Sequence, residues 1–263
     1  MGTLTANGIE LHCIERGAGD PVLFIAGLGM DHRAWTPVVA RLEDAFRCIT
    51  FDNRDAGRSQ RTPGAYTVAD MADDAAGVLD ALGVERADVA GLSMGGAIAQ
   101  ELAIRRPERV RRLVLIATYT SGDPRGTAIF AAHALLRRTL SREDYVRATS
   151  WSVYSHQDYR REGFVEAQVR ASAENALWQE QDAYERQVAA TTNACTEDRL
   201  RDIAAPTLII AGTEDILTPK RFQDTLAAGI PDSRMVWVEG AAHGIAWSHA
   251  GRVAGEIRAF LGG

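Results

Sequence analysis

The segment ADVAGLSMGGAIAQ (87–100) sets one serine, Ser93, between Gly91 and Gly95, with Gly96 directly after. A serine hydroxyl is a weak nucleophile unless a base takes its proton. The residues before Ser93 read as a buried strand. Those after it read as a helix that runs from Met94 to Arg106 and stops at Pro107. A serine on so sharp a strand-to-helix turn has its hydroxyl lifted above the carboxyl edge of a sheet, and the flanking glycines let strand and helix approach closely. The helix N-terminus adds backbone N–H groups where negative charge would develop. Gly-x-Ser-x-Gly alone is a weak signal in a chain with 24 glycines. The strand before it and the helix after it make the signal strong.

Such a serine needs a base, and the base needs an acid to orient it. Six histidines are available. His12 falls in an early strand, His32 after a glycine turn, and His133 and His156 in a helical region. His249 begins the last helix. His243, in EGAAHGIAWSH, follows the final strand pattern and is the expected base. The preceding strand ends in TLIIAGTEDILTP, which offers Glu214 and Asp215. Asp215 is the expected acid and Glu214 the alternative. An oxyanion needs two donors. Met94 supplies one N–H, and the loop GLGM (27–30) after VLFIAG places Leu28 as the second. The same glycines could merely form a turn. No Gly-Lys-Ser/Thr follows, so a phosphate-binding loop is not supported.

Candidates for a substrate pocket are Tyr119, Trp151, Trp178 and Trp247, each of which could equally belong to a helical core. Arg137–Arg138 and Arg160–Arg161 could hold a substrate carboxylate, but as surface charges on helices they are more ordinary. Arg54 and Asp55 read as structural ion-pairing residues.

These residues require a frame. Apolar runs at 22–27, 46–52, 87–92, 112–118, 207–213 and 234–240 have the length and bounding residues of buried strands. Two more strands, around Leu4–Ala6 and Ile9–Glu15, flank the turn pair Asn7-Gly8. A helix is expected over 67–83, with Val68, Met71, Ala75, Val78, Leu79 and Leu82 on one face and Gly83 ending it. The alternation predicts an α/β fold with a mostly parallel sheet covered on both faces. It breaks over 121–202, which reads as a helical insertion into a core formed by 1–120 and 203–263.

Composition bounds the function. The chain has 263 residues, 46% of them apolar and 24% charged, which suits a soluble α/β protein. A net charge of −6 argues against a nucleic-acid partner held through phosphates. No apolar run reaches the roughly 18 residues of a spanning helix, and MGTLTANGIELHCIERG lacks the basic and apolar regions of a secretory leader. A cytoplasmic protein without membrane partners is expected, with a homodimer left open. Cys13, Cys48 and Cys195 show no metal-ligand spacing and are expected as buried, reduced thiols. Neither a metal nor an organic cofactor is implied.

Taken in order, AGLG (26–29), DNRDAGRS (52–59), GLSMGG (91–96), PTLIIAGTEDILTP and GAAHGIAWSH resemble the α/β-hydrolase superfamily over almost the whole chain. More narrowly, NRDAGRS, the stretch from Tyr66 to Gly96, and PERVRRLVLIAT look like the group of 3-oxoadipate enol-lactonases and aclacinomycin methylesterases, and are similar to meta-cleavage-product hydrolases. The resemblance implies an eight-stranded sheet with a helical cap, matching 121–202. The chain departs from the pattern at Ala26, at Asp55 where glycine is usual, and at Gly244, where tryptophan is common in the carbon–carbon hydrolases. The expected activity is hydrolysis of a small carboxylic ester or lactone through an acyl-enzyme. The alternatives are a thioesterase, a C–C hydrolase, a non-hydrolytic enzyme on the same site, or a receptor-like slow hydrolase.

Overall fold

The computed structural model describes residues 2–262. Its strands are β1 (Gly2–Ala6), β2 (Ile9–Arg16), β3 (Asp20–Ile25), β4 (Phe46–Phe51), β5 (Ala87–Leu92), β6 (Val110–Ile116), β7 (Thr207–Gly212) and β8 (Ser233–Val238). They form one sheet in the order β1-β2-β4-β3-β5-β6-β7-β8. The pairs β1–β2 and β2–β4 are antiparallel. All pairings from β4 onward are parallel. The eight-stranded, mostly parallel sheet expected from the sequence is therefore present. Asn7 and Gly8 both take positive φ, 48° and 77°, as a two-residue hairpin demands.

The helices are α1 (Thr36–Val39), α2 (Val68–Ala81), α3 (Met94–Arg105), α4 (Pro124–Thr139), α5 (Arg142–Thr149), α6 (His156–Arg160), α7 (Phe164–Ala173), α8 (Gln181–Thr192), α9 (Lys220–Gly229), α10 (Ile245–Ser248) and α11 (Ala250–Leu261). Side chains alternate across a strand. Leu23 and Ile25 of β3 face a core shared with Met71 and Leu79 of α2 and Ile98 of α3. Val22 and Phe24 face a second core with Trp35, Leu42 and Val253. With both faces covered, the strands read as continuous apolar runs rather than alternating ones. Helix α2 begins at Thr67, whose hydroxyl accepts the Asp70 N–H while Asp70 accepts the Thr67 N–H. Its predicted apolar face is buried apart from the half-buried Leu82, and Gly83 follows at φ +65°.

Helices α4 to α8 all lie between β6 and β7, where the strand alternation breaks. The chain enters and leaves this stretch at one seam, where Ser121 bridges Cys195 and the Thr196 N–H donates to the Thr120 carbonyl oxygen at 2.7 Å. The expectation of three buried thiols is corrected here. Cys13 and Cys48 lie inside the sheet, and burial pushes both thiols up to about 12. Cys195 is exposed because the seam runs along the surface. Among the described residues, no helix is long and apolar enough to cross a membrane.

The glycines after Ser93 are fixed by contacts that no side chain could satisfy. A Cβ on Gly95 would stand 2.1 Å from the Ile25 carbonyl oxygen, which is backbone and cannot swing away. On Gly96 it would stand 2.4 Å from Thr118 Oγ1. Gly95→Ala is expected to lower stability by about 3 kcal/mol or more, at or beyond the upper end for overpacking. Gly255→Ala is the control. Its site lies on the exposed face of α11 and has nothing within 4 Å, so it should gain roughly 0.5–1 kcal/mol from helix propensity. Denaturant melts of the two variants check this. Equal, small effects would refute the close-approach argument.

Candidate active site

Ser93 stands between β5 and α3 with φ 55° and ψ −118°, a conformation L-residues seldom take. Its surroundings hold it there. The Ser93 N–H donates to the Ile116 carbonyl oxygen at 2.9 Å, and the Thr118 hydroxyl donates to the Ser93 carbonyl oxygen at 2.7 Å. Serine at a helix N-cap usually accepts a bond from the first turn. Ser93 makes no such bond. Its Oγ instead lies 3.0 Å from His243 Nε2. Thr118 thus both supports the turn and packs on Gly96, a role for the third glycine that its spacing did not reveal.

His243 sits on the loop between β8 and α10, and its Nδ1 lies 2.9 Å from Asp215 Oδ2. Asp215 lies on the loop after β7. Its Oδ1 accepts the N–H groups of Leu217 and Thr218 at 2.8 and 2.9 Å, and its Oδ2 accepts the Thr218 hydroxyl at 2.6 Å. Burial pushes the carboxyl up. The charge of His243 and the hydrogen bonds from His243 and Thr218 outweigh burial, so Asp215 titrates below the ordinary carboxylate value. Thr218 was not singled out in the sequence, although an Asp followed three residues later by Thr is a turn signal that could have found it. Glu214 faces elsewhere: its Oε2 accepts the His156 N–H at 3.0 Å, at the start of α6. His249 caps α11.

The loop 27–30 abuts the serine. A Cβ on Gly27 would lie 3.4 Å from Ser93 Cβ. Met30 N–H donates to the Gly27 carbonyl oxygen at 3.3 Å, closing a turn with Gly29 at φ +71°. Among the described residues, no protein acceptor takes the N–H of Leu28 or of Met94. Both are expected donors, and both flank Ser93.

Ser93 and His243 open onto a cavity of about 530 Å³, whose walls include Leu28, Trp178, Trp247, His133 and Arg137. A smaller chamber of about 30 Å³ meets the same two residues and is lined by Tyr119 and Phe222. Trp247 is held by its Nε1 donating to the Ala34 carbonyl oxygen at 3.0 Å. Trp178 stacks under the Arg137 guanidinium, 4.1 Å from the ring centroid. Arg138 pairs instead with Glu185. The expectation for Trp151 is corrected. It is 60% exposed and contributes to neither chamber, because it lies on the short turn after α5 with its ring toward solvent. Arg54 and Asp55 do form ion pairs, with Asp74 at 2.6 Å and Arg186 at 2.7 Å respectively. Gly244 is explained by close approach: a Cβ there would meet the Tyr154 ring at 2.9 Å.

His12, His32 and Asp52 gather three possible metal-ligand atoms within 4.8 Å. Asp52 Oδ1 already accepts the His32 N–H and lies 2.8 Å from His32 Nδ1, and Oδ2 accepts the Arg58 N–H. Asp52 and His32 form a hydrogen-bonded brace, the His12 ring packs against His32 with its Nε2 unpartnered, and none of the three is a wall residue of either chamber.

Known proteins share this arrangement of elements. A family model described as the alpha/beta hydrolase fold matches residues 20–250. The chain is 34% identical over 248 residues to RutD of Azorhizobium caulinodans, which carries a provisional name as a carbamate hydrolase; the match covers 89% of this chain and 88% of that one. The crystal structure of an enol-lactonase from Burkholderia xenovorans superposes with a TM-score of 0.89 at 27% identity, covering 99% of this chain and 100% of the other. A thermophilic esterase from Thermogutta terrifontis superposes with a TM-score of 0.87 at 27% identity, covering 98% and 97%.

Proposed function

This chain belongs to the alpha/beta hydrolase fold family and is a hydrolase, and from that premise we propose that it cleaves small carboxylic esters or lactones through a serine acyl-enzyme. One observation carries the reading: Ser93 Oγ, His243 Nε2, His243 Nδ1 and Asp215 Oδ2 stand in a relay with gaps of 3.0 and 2.9 Å, opening on a cavity.

Ser93 Oγ attacks the carbonyl carbon, and His243 Nε2 takes its proton. The oxyanion is stabilised by the N–H groups of Leu28 and Met94. Asp215, held as a carboxylate, accepts from Nδ1 and fixes the tautomer. The tetrahedral intermediate collapses, and His243 returns its proton to the leaving alkoxide oxygen. Water, deprotonated by His243, then attacks the acyl carbon; the acid leaves and Ser93 recovers its proton. Helices α4 to α8 act as the lid that supplies most of the large cavity's outer wall. Trp178 and Trp247 shape the large chamber and Tyr119 the small one.

A second reading, carbamate hydrolysis, is favoured by the provisional name of the Azorhizobium relative. It uses the same attack and leaves a carbamoyl-enzyme. Product analysis on a panel of short-chain activated esters, small lactones and carbamates separates the two. Esters or lactones are expected to give acid and alcohol, or the opened hydroxy acid, stoichiometrically. Turnover of carbamates with none of esters and lactones would overturn the leading assignment.

A further inference from the structure

Helix α8 lies between β6 and β7, far in sequence from the loop 27–30, yet one of its side chains reaches that loop. Gln187 is fully buried. Its Oε1 accepts the Gly29 N–H at 3.0 Å across 158 residues of sequence. Its Nε2 donates to the Arg54 carbonyl oxygen, also at 3.0 Å. The two partners fix the orientation of the amide. Gly29 N–H can only donate and the Arg54 carbonyl can only accept, so reversing the carboxamide would break both bonds.

The turn at 27–30 gives this contact a consequence. With Gly29 at φ +71°, the Leu28–Gly29 peptide turns its N–H toward α8. The opposite turn form would rotate that peptide and set the Leu28 carbonyl oxygen against Gln187 Oε1, two acceptors facing one another. Gln187 therefore favours one form of the turn. The Leu28 N–H belongs to the adjoining Gly27–Leu28 peptide, so a turn held in one form also limits where that N–H can move; Gly27 abuts Ser93, and Leu28 and Ser93 line the same cavity. Tyr184, one helical turn earlier on α8, closes the same side, 3.3 Å from where a Gly29 Cβ would sit.

We propose that Gln187 is a positioning residue that sets the oxyanion loop, so that part of this hydrolase's transition-state stabilisation is built by a helix outside the loops carrying Ser93, Asp215 and His243. The proposal rests on the acyl-enzyme reading above. A separate ion pair holds the helix itself. Arg186 Nε donates to Asp55 Oδ2 at 2.7 Å and Gln179 Nε2 to the Asp55 carbonyl oxygen at 2.9 Å. Asp55 thus tethers α8 and the segment before it without touching Gly29, a tie separate from the Gln187–Gly29 bond.

The experiment compares Gln187→Met, which keeps length and loses both hydrogen bonds, with Arg186→Met, which loosens α8 but leaves the Gly29 contact. Both are measured for kcat and KM on an activated acetate ester, for melting temperature, and for binding of a trifluoromethyl ketone. That ketone forms a serine hemiketal whose oxygen occupies the oxyanion position. Removing an oxyanion donor outright costs about 100–1,000-fold in kcat. A misplaced donor should cost less. Gln187→Met is expected to lose roughly 10–100-fold in kcat with KM within about twofold. Its ketone affinity should fall in parallel, while its affinity for the product acid stays unchanged. Arg186→Met should show a similar melting temperature and near-wild-type kcat. Gln187→Glu keeps an acceptor for Gly29 but as a carboxylate faces the Arg54 carbonyl oxygen with a second acceptor, so it should recover part of the loss only where its carboxyl is protonated and donates to that oxygen. Equal kcat losses in the Met variants, or a Gln187→Met loss confined to KM, would reduce Gln187 to a helix anchor and overturn the proposal. A wild-type protein that neither turns over esters nor binds the ketone would instead sink the acyl-enzyme reading itself.

Discussion

Ser93→Ala is expected to fold normally and to lose about 10⁵-fold or more in kcat on an activated ester, the scale seen when a nucleophile acting as one unit with its base is removed. No other described hydroxyl pairs with His243 Nε2, so nothing nearby can substitute. A fluorophosphonate probe should add to wild type at residue 93 and not to the variant, read by intact mass and peptide mapping. The backbone supplies a second, independent check. Ser93 holds φ 55° against its intrinsic preference, which stores on the order of 1–3 kcal/mol. Ser93→Gly removes the hydroxyl and relieves that strain, so it should melt above Ser93→Ala while being equally inactive. Probe labelling at another residue, or Ser93→Ala activity within tenfold of wild type, would end the nucleophile assignment.

Asp215→Asn should lower kcat by about 10³–10⁴-fold, because an amide in place of the carboxylate no longer selects the His243 tautomer with its proton on Nδ1. Glu214→Gln should cost less than about threefold, since the Glu214 carboxylate serves the His156 N–H at the start of α6 rather than His243. The comparison has a pH signature as well. Burial raises the Asp215 carboxyl, but the His243 charge and the hydrogen bonds from His243 and Thr218 hold it below its ordinary value. A depressed carboxyl stabilises the fold fully above the unfolded value of about 3.9. That contribution is lost as pH falls through the folded value. Wild type should therefore melt above Asp215→Asn at neutral pH, and the gap should narrow below about pH 4. If Glu214→Gln is the crippled variant, the orienting acid moves by one residue. If neither is, this loop does not orient the base.

Two features set by neighbours in sequence were legible without coordinates. The turn at Ser93 is one: glycines at 91, 95 and 96 lie within a few residues of the serine, and local sterics decide what such a turn can be. The strands are the other, because apolar runs bounded by Gly, Pro and charge mark buried strands wherever they lie. Chain order then nominated Asp215 and His243. Periodicity states which residues share a face but not what that face meets. The helices between β6 and β7 are short and mixed in composition, so Trp151 and Trp178 looked alike in sequence. Packing turned Trp151 to solvent and Trp178 to the cavity. Nothing in the sequence around Gln187 points to a glycine 158 residues away. Ser93 and His243, 150 positions apart, come within 3.0 Å only once the sheet has placed β5 and β8 in one layer. Local pattern and spacing set the elements and the chemistry each could carry. The tertiary structure decided which side chains meet, because burial and hydrogen bonding across long separations are settled only when every layer is packed at once.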